Sequence, residues 1–341
     1  MPSDRPVFVV GCPRSGTTML QLMLHAHPRI AVPPESRFLL AAYRRRYQIG
    51  DLSSAENRQA LASWIVRTPQ FGDLGLPRDE VITSIAEAPG TLGSALGTVF
   101  KMYADRFGKP RWGDKRPSYL RNLPILLRLF PDAQIIDIVR DGRDCVASLK
   151  ETPWRPHDFG QLIDYWARSA DASARAARRY PATVYHQVRY EDLVGDPATH
   201  LRKICSFLDE DYDPAMAEPS SVAAVAVPTY KTWHQLTRSA VTTSRAGSWQ
   251  QRLTPDEVRH CEAVFGRRLA RFGYQPSTRA GRSPTMLVTH AKLAAREHFG
   301  PARAALHDVR LRMRAAQPAP DLPFQERSPS ASTSIDSTRS G

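Results

Sequence analysis

The sequence predicts an α/β fold with a mostly parallel sheet flanked by helices on both faces. The first observation is at the start of the chain, where the β-branched run Val7–Val10 leads into a glycine-containing loop and then an apolar helical stretch, Met19–His25. The second is that strand-like and helical patterns alternate over most of the 341 residues. Alternation of this kind favours parallel pairing, because each helix carries the chain back to the end of the sheet where the previous strand began, so that the next strand runs in the same direction.

The remaining elements follow in order along the chain. An apolar run predicts a strand at Ala133–Val139, a further strand is predicted at Thr183–Val188, and a short strand is a candidate around Arg111–Lys115. Longer stretches with an apolar face predict the helices, at Ser36–Tyr47, Ala55–Val66, Thr91–Phe107, Ser118–Phe130, Gly142–Leu149, Leu162–Arg179, Ala198–Leu208 and Pro255–Phe272. Because the pattern continues to Phe272, we expect one domain over residues 1–275.

The composition changes after residue 275. Residues 276–316 contain eight Lys or Arg and two acids, and they predict two basic helices, Met286–Gly300 and Ala302–Ala316, separated by a Gly–Pro pair. Such an extension suits a membrane surface or a partner, or it packs on the domain as a solvated pair. Residues 317–341 are rich in Pro and Ser and have no periodic apolar face, so we expect a disordered tail.

Composition excludes several other classes of protein. Hydrophobic residues make up 42% of the chain and charged residues 24%, which excludes collagen-like, coiled-coil and wholly disordered chains. No run approaches about 18 apolar residues, and residues 1–6 lack the pattern of a signal peptide, so we expect a soluble, cytoplasmic protein. The cysteines have neither disulfide nor zinc spacing, so we expect reduced thiols and no structural metal, at Cys12, Cys145, Cys205 and Cys261.

The charge balance indicates an anionic partner. There are 47 Lys and Arg against 34 acids, a net charge of +13. A phosphate-bearing cofactor, a nucleic acid, an acidic polymer or a membrane surface would each suit this excess. No motif that reads nucleic acid is present, so we expect no nucleic-acid partner.

The loop after the first strand predicts an anion site. Residues 11–18, Gly-Cys-Pro-Arg-Ser-Gly-Thr-Thr, nearly match the phosphate loop G-x-x-x-x-G-K-[ST]. Its backbone amides would converge on an anion at a helix N-terminus, where the helix dipole also favours negative charge. Thr17 replaces the lysine of nucleotide triphosphatases, which disfavours hydrolysis of ATP or GTP. Arg14, inside the loop, suits a single terminal phosphate or sulfate.

A second anion site is predicted at the end of another strand. Arg140 follows Ala133–Val139 at the carboxyl end, where α/β proteins bind ligands, and Ser148 lies about two turns into the next helix. The bland interpretation is a surface cluster of ion pairs with Asp141 and Asp144. Taken with the loop, Arg140 and Ser148 imply a ligand that is phosphorylated at two separated points.

These motifs resemble those of sulfotransferases that use 3′-phosphoadenosine 5′-phosphosulfate. The resemblance covers about residues 5–275 and is strongest to the bacterial and tyrosylprotein branch. Further matching segments are Trp112-Gly113-Asp114-Lys115, Arg189-Tyr190-Glu191-Asp192-Leu193 and Ser244-Arg245-Ala246-Gly247-Ser248-Trp249. It implies a P-loop-like sheet with additional helices on the acceptor side, and a requirement for the phosphosulfate donor but for no metal.

The resemblance also implies roles for individual residues. The loop, Arg14 with Ser15, Gly16, Thr17 and Thr18, would bind the 5′-phosphosulfate, and Arg140 with Ser148 would bind the 3′-phosphate. Lys115 and Arg14 would stabilise charge on the leaving oxygen. Contacts to the nucleotide are expected from Tyr190, Ser244, Arg245 and Trp249. Ser248 departs from the tyrosylprotein branch, which has a lysine there.

An acceptor hydroxyl also needs a base, and Glu35 is the best candidate. It lies 21 residues after Arg14, past one helix, and the tyrosylprotein branch places its catalytic glutamate in this segment. A helix-start acid that stabilises the dipole is the alternative interpretation. His25 and His27 are weaker candidates for the base.

The acceptor is predicted only as a class. A hydroxyl of a lipid, glycan or natural product is expected, and a tyrosine is a less favoured alternative in a cytoplasm. The acceptor pocket would be lined by Tyr47–Phe107, Arg44–Arg46 and Trp154–His157, all of which also suit solvated surface. A nucleotide-binding or regulatory module without turnover, or a kinase-like protein, are the competing functions.

Overall fold

The computed structural model describes residues 3–152, 158–222, 240–277, 284–315 and 318–326. Five parallel strands form its sheet, in the order β2-β3-β1-β4-β5. They are β1 (Val7–Gly11), β2 (Ile30–Ala31), β3 (Arg111–Lys115), β4 (Gln134–Val139) and β5 (Tyr185–Arg189). The predicted α/β class with a parallel sheet is confirmed. The two-residue β2 was not predicted, because it is too short to show a periodic pattern.

Helices connect the strands. In the first part they are α1 (Thr17–Ala26), α2 (Phe38–Arg44), α3 (Arg46–Ile49), α4 (Ala55–Val66), α5 (Arg78–Ala86), α6 (Leu92–Asp105) and α7 (Leu123–Leu129). The remainder are α8 (Gly142–Lys150), α9 (Phe159–Arg179), α10 (Tyr190–Gly195), α11 (Pro197–Leu208), α12 (Trp249–Arg252), α13 (Pro255–Phe265), α14 (Arg267–Arg271) and α15 (Pro284–Met313). None of the helices in the described residues is long and apolar enough to cross a membrane.

Side chains alternate between the two faces of the sheet, as strand geometry requires. Phe8 and Val10 of β1 enter a core formed with α2 and α4–α7. Val7 and Val9 enter the opposite core, formed with α1, α10 and α11. A third core joins α8, α9 and α12–α14. Burial on both faces explains why β1 is uniformly apolar.

Several predicted boundaries need correction. The single helix expected over Ser118–Phe130 is a 3₁₀ helix at Pro117–Asn122 followed by α7, since Pro124 suits the first turn of a new helix. The helix expected over Pro255–Phe272 is interrupted at Gly266, whose φ of 49° is outside the helical region. Helix α5 lies where only loops were expected. Its nine residues are too few, and its buried apolar residues too sparse, to show a clear helical pattern in the sequence.

The C-terminal region differs most from the sequence prediction. The two basic helices expected on either side of Gly300–Pro301 are one continuous helix, α15, of 30 residues. An internal proline removes one backbone hydrogen bond and kinks a helix, but it does not oblige the helix to end.

The tail is also ordered over residues 318–326, where disorder was expected. Its backbone bonds to Leu92, Gly93 and Leu129, and Phe324 packs on Trp112 and Phe130. A composition averaged over the tail does not reveal that one phenylalanine fits over Gly97, where an added Cβ would lie 2.5 Å from its ring. Residues 327–341 are outside the described part of the chain.

Candidate active site

The predicted functional residues lie along one edge of the sheet. Arg14 and Ser15 follow β1, Lys115 ends β3, and Arg140 follows β4. Glu35 comes after β2, and Tyr190 comes directly after β5. Because all five strands are parallel, their carboxyl ends meet at the same edge, which is where open α/β sheets bind ligands.

The loop between β1 and α1 depends on its two glycines. Gly16 has a φ of 101°, and a Cβ there would lie 2.6 Å from the Tyr190 ring. A Cβ on Gly11 would lie 2.6 Å from the Ile138 carbonyl oxygen. The loop therefore packs tightly against β4 and α10. Ser15 Oγ is buried there without a hydrogen-bond partner among the described residues.

Arg14 connects the loop to the second predicted anion site. Its Nε donates to Ser148 Oγ at 2.9 Å, and Arg140 Nη1 donates to the Arg14 carbonyl oxygen at 2.9 Å. Arg14 has a left-handed backbone, with a φ of 71°. Burial, and then the proximity of Arg140, lower the pKa of Arg14. Arg140 Nε is buried and has no hydrogen-bond partner in the described structure.

This geometry fits a ligand with two anionic groups. The guanidinium groups of Arg14 and Arg140 repel each other in a buried setting, and although Asp144 lies 3.7 Å from Arg140, a bound anion would offset this repulsion further. The unsatisfied donors at Ser15 and Arg140 are the groups that phosphate or sulfate oxygens would satisfy. The loop and the Arg140–Ser148 pair, two motifs far apart in sequence, thus form one continuous surface.

Glu35 and Lys115 form the third part of the site. Lys115 Nζ donates to Glu35 Oε1 at 2.8 Å and to Thr18 Oγ1 at 3.2 Å. The Lys115 side chain is 3% exposed, whereas that of Glu35 is 22% exposed and also faces Arg37 at 3.8 Å. A carboxylate with partial access to solvent therefore lies next to a buried ammonium that contacts the first turn of α1.

A buried carboxylate, Asp114, supports this arrangement and was not predicted as a functional residue. It accepts hydrogen bonds from the hydroxyls of Ser36 at 3.0 Å and Tyr119 at 2.5 Å. Burial raises the pKa of Asp114 to about 6 despite these bonds. Asp114, which directly precedes Lys115 in β3, thereby holds Ser36, the residue after Glu35, next to this strand. In the sequence, the one indication of a role for Asp114 is that it lies in the Trp112–Lys115 segment, which matches the family.

Asp144 is a second residue whose importance the sequence did not reveal. It is completely buried and accepts from the backbone N–H groups of Gly247 and Trp249, each at 2.8 Å, and from the Ser248 hydroxyl at 3.0 Å. It also lies 3.7 Å from Arg140. Asp141 is buried too, and it caps α8. Asp141 and Asp144 do form ion pairs, with Arg143 at 2.7 Å and with Arg140 at 3.7 Å, but the cluster is buried and not on the surface as the bland interpretation had it.

The residues expected around the nucleotide have different environments. The Arg140 guanidinium lies over the Tyr190 ring at 4.4 Å, and it donates to the Arg245 carbonyl oxygen. Trp249 is buried, with the Arg143 guanidinium 4.0 Å from its ring. Ser244 is exposed and bonds to the Thr242 hydroxyl at 2.8 Å. Of these segments, Tyr190 and the Arg245 backbone contact Arg140, while Ser244 does not.

Both histidines considered as alternative bases have structural roles. His25 Nδ1 accepts from the Val32 N–H at 3.2 Å, and its ring packs on Phe107. His27 Nε2 bonds to the Asp211 carbonyl oxygen at 2.8 Å, and its Nδ1 accepts from the Arg29 N–H. Each residue is 2% exposed. Glu35 is therefore the better placed of the three candidates.

Other expectations concern the acceptor pocket and metals. Arg46 is buried and paired with Asp308, so it belongs to the packing of α3 against α15 rather than to an open pocket. The Trp154–His157 segment falls outside the described residues. In the ranges that the structure describes, no group of three or more His, Cys, Asp or Glu side chains is arranged to hold a metal ion.

Comparison with known proteins places this geometry in a family. Residues 6–214 match the profile of the sulfotransferase family. The chain belongs to the sulfotransferase family. Like the resemblance in sequence, the match covers the phosphate loop, Glu35, Lys115 and the Arg140–Ser148 segment.

Relatives of this sulfotransferase family member occur in animals and bacteria. It is 28% identical over 212 residues to protein-tyrosine sulfotransferase A of Caenorhabditis elegans, a match that covers 61% of this chain and 50% of the relative. It is 26% identical over 300 residues to the nodulation protein NoeE of Sinorhizobium fredii, covering 81% and 67% of the two chains. The chain thus spans half the length of the nematode relative.

Solved structures show the same fold. The sulfotransferase domain of the Synechococcus PCC 7002 olefin synthase aligns with a TM-score of 0.54 and 24% identity, covering 80% of this chain and 97% of that domain. The sulfotransferase domain from the curacin biosynthetic pathway aligns with a TM-score of 0.53 and 19% identity, covering 81% and 99%. These neighbours confirm the predicted P-loop-like architecture.

Proposed function

We propose that this protein transfers a sulfuryl group from 3′-phosphoadenosine 5′-phosphosulfate to a hydroxyl of a lipid, glycan or natural product. The observation that carries the proposal is the continuity of the site. Arg14 joins the phosphate loop to Ser148 and Arg140, and Thr18 joins the same loop to Lys115 and Glu35. Two anion-binding regions and a carboxylate thus border one loop, as a donor with separated phosphates and a hydroxyl acceptor require.

The donor supplies an activated sulfuryl group on a phosphate leaving group. Its 5′-phosphosulfate would lie on the amides of Ser15–Thr18, and its 3′-phosphate would meet Arg140 and Ser148. The nucleotide would extend towards Tyr190 and the Arg245–Trp249 segment. Asp144 would hold that segment in place through its bonds to Gly247 and Trp249.

The chain's own residues would carry out proton transfer and charge stabilisation. As the acceptor oxygen bonds to sulfur, the bond from sulfur to the bridging phosphate oxygen breaks, and Glu35 takes the hydroxyl proton. Lys115 and Arg14 stabilise the negative charge that the bridging oxygen gains. Positioning dominates such a displacement, so the dense contacts around the loop serve the chemistry directly. Lys115 also keeps Glu35 next to the loop before the acceptor arrives.

Binding of the desulfated product tests the donor assignment. Calorimetric titration with 3′-phosphoadenosine 5′-phosphate should show tight binding that AMP and ATP do not reproduce, because they lack the 3′-phosphate for Arg140 and Ser148. Absence of binding, or a preference for ATP, would overturn the assignment and favour a kinase-like or regulatory module instead.

The Glu35→Gln variant tests the base. We expect it to bind 3′-phosphoadenosine 5′-phosphate like the unmodified protein, while transfer of label from ³⁵S-labelled donor into a mixed lipid and glycan extract falls about a hundredfold to ten-thousandfold. Glu56→Gln, which neutralises an exposed acid on α4, is the matched control and should keep full activity. An active Glu35→Gln enzyme would show that another group accepts the proton.

A further inference from the structure

Helix α15 carries an exposed apolar stripe. In the part of the chain that the structure describes, the large hydrophobic side chains that are exposed are Phe299, Leu306, Val309 and Met313, all on this helix. Leu306 and Val309 are each 52% exposed, and Met313 is 81% exposed. Spacings of three, four and seven residues place these three side chains on one face of the helix.

Arginines border the stripe along one side. Arg303, Arg310 and Arg314 are exposed, and none of their guanidinium groups forms a hydrogen bond or ion pair with the residues described. In helical geometry each lies within about 120° of a member of the stripe: Arg303 and Arg310 are three and four residues from Leu306, and Arg314 directly follows Met313. The apolar face and the unpaired positive charges therefore form one amphipathic surface.

The opposite side of the helix is attached to the domain. Asp308, two residues from Leu306 and thus on the other side of the helix, pairs with Arg46 and accepts from the Tyr47 hydroxyl at 3.2 Å. Arg46 also lies 4.1 Å from the Tyr43 ring. The ion pair of Asp308 with Arg46 therefore turns this side of α15 towards α3, and the apolar stripe faces away from α3.

We propose that this face of α15 docks the protein on a membrane surface that carries anionic lipids. Leu306, Val309 and Met313 would enter the boundary between headgroups and acyl chains, while Arg303, Arg310 and Arg314 would meet lipid phosphates. Charge decides between this occupant and a second copy of the chain. Two copies of the face would bring unpaired arginines together, whereas an anionic bilayer supplies the opposite charge over an extended surface.

Vesicle sedimentation of the full chain tests the proposal. The protein should sediment with vesicles of phosphatidylcholine and phosphatidylglycerol, remain in solution with phosphatidylcholine alone, and be released by high salt. Replacing Leu306, Val309 and Met313 together by Ser should abolish sedimentation. Replacing Arg303, Arg310 and Arg314 by Gln should weaken partition by about fivefold per arginine.

Matched controls separate docking from total charge and from folding. Arg67, Arg78 and Lys101 are exposed on other helices or loops, and their replacement by Gln removes the same charge elsewhere, so it should change partition little. Each variant should keep the unfolding temperature of the unmodified chain, because only exposed side chains change. Equal binding to neutral vesicles, or no effect of the stripe variants, would overturn the proposal. A dimer in sedimentation velocity that the Ser variants dissociate, without vesicle binding, would assign the face to a second copy instead.

Discussion

Arg14 adopts a backbone conformation that few residues with a side chain accept. Its φ of 71° places the guanidinium so that Nε reaches Ser148, and it exposes the carbonyl oxygen to Arg140. A non-glycine residue in this region costs free energy that the surrounding contacts must offset. Such cost is typical of binding sites, where side-chain position outweighs local stability.

The Arg14→Gly variant tests this residue without introducing new strain. Glycine keeps the left-handed backbone but removes the guanidinium, so affinity for 3′-phosphoadenosine 5′-phosphate should fall about tenfold to a hundredfold, as for loss of a charged hydrogen bond. Titration calorimetry provides the measurement. Arg37→Gly is a control, since Arg37 is also left-handed, with a φ of 60°, but faces Glu35 rather than Ser148. Equal losses in both variants would mean that glycine itself, not the lost cation, causes the effect.

His25 makes stability depend on pH. Burial, and then the charge of Lys109, lower the pKa of His25 to about 3. An unfolded chain takes up this proton as the pH falls through about 6.5, whereas the folded chain does so only near 3, so stability is full above pH 6.5 and declines below it. The asparagine of a His25→Asn variant cannot titrate, but its side-chain oxygen can accept the Val32 N–H. We expect this variant to lose the decline in the free energy of unfolding at low pH, which amounts to about a few kcal/mol.

Urea unfolding at pH 7 and pH 4.5 measures this difference. Asp114 contributes with the opposite sign, because its raised pKa makes the folded state bind a proton more tightly below pH 6. That contribution is present in both proteins and cancels in the comparison. Parallel stability profiles for the variant and the unmodified protein would show that His25 is not the titrating group.

At the scale of elements, α8 organises the part of the site that we propose binds the nucleotide. Its first turn holds Asp144, which receives three hydrogen bonds from residues 247–249 about a hundred positions later. The same carboxylate lies 3.7 Å from Arg140. Because Asp144 lies next to Arg140 and also binds residues 247–249, close in sequence to the Arg245 carbonyl that accepts from Arg140, we propose a positioning role for it rather than a direct contact with substrate.

The Asp144→Ala variant should separate positioning from general stability. Loss of the anchor should lower affinity for 3′-phosphoadenosine 5′-phosphate by about tenfold while affecting AMP much less, since Arg140 is the group left misplaced. The ratio of the two affinities is the readout, and calorimetry gives both. Asp171→Ala, which breaks the ion pair of α9 with Arg268 of α14, serves as the structural control. If Asp144→Ala weakens both ligands equally, the residue supports folding alone.

At the scale of the whole molecule, the C-terminal segment fastens the helices that cover one face of the sheet. Residues 321–325 bond to α6 and to the end of α7, and the Phe324 ring meets Trp112 and Phe130. Phe8 of β1 also packs on Trp112 and Phe130, so the segment around Phe324 and the first strand share one aromatic cluster.

Phe324→Ala should therefore destabilise the protein. Phe324 is partly buried, so we expect a loss of about 1–3 kcal/mol in the free energy of unfolding, below that of a fully buried phenylalanine. Thermal and urea unfolding give the value. Glu326→Ala changes a neighbouring exposed residue and should leave stability unchanged. An unaffected Phe324→Ala protein would restore the original expectation that this segment contributes nothing to the fold.

Local sequence predicted four of the five strands, the loop after β1 and most helices. Apolar runs, glycines and caps act through neighbours in sequence, so β1, α4 and the turn at Gly16 could be predicted from the chain alone. The cations Arg14, Lys115 and Arg140 followed from their positions after strands, because parallel strands end at a common edge.

Tertiary structure decided which of these residues act together. The Glu35–Lys115 pair joins positions 80 residues apart, and the Arg14–Ser148 bond joins positions 134 apart. From the sequence, Asp144 suited a surface ion pair, whereas the structure shows that it is fully buried. Phe324 lies in a segment whose composition indicated disorder. Burial and partners of this kind depend on long-range packing, which no local pattern encodes. The sequence alone thus predicted the family and the candidate residues, and the fold supplied their geometry.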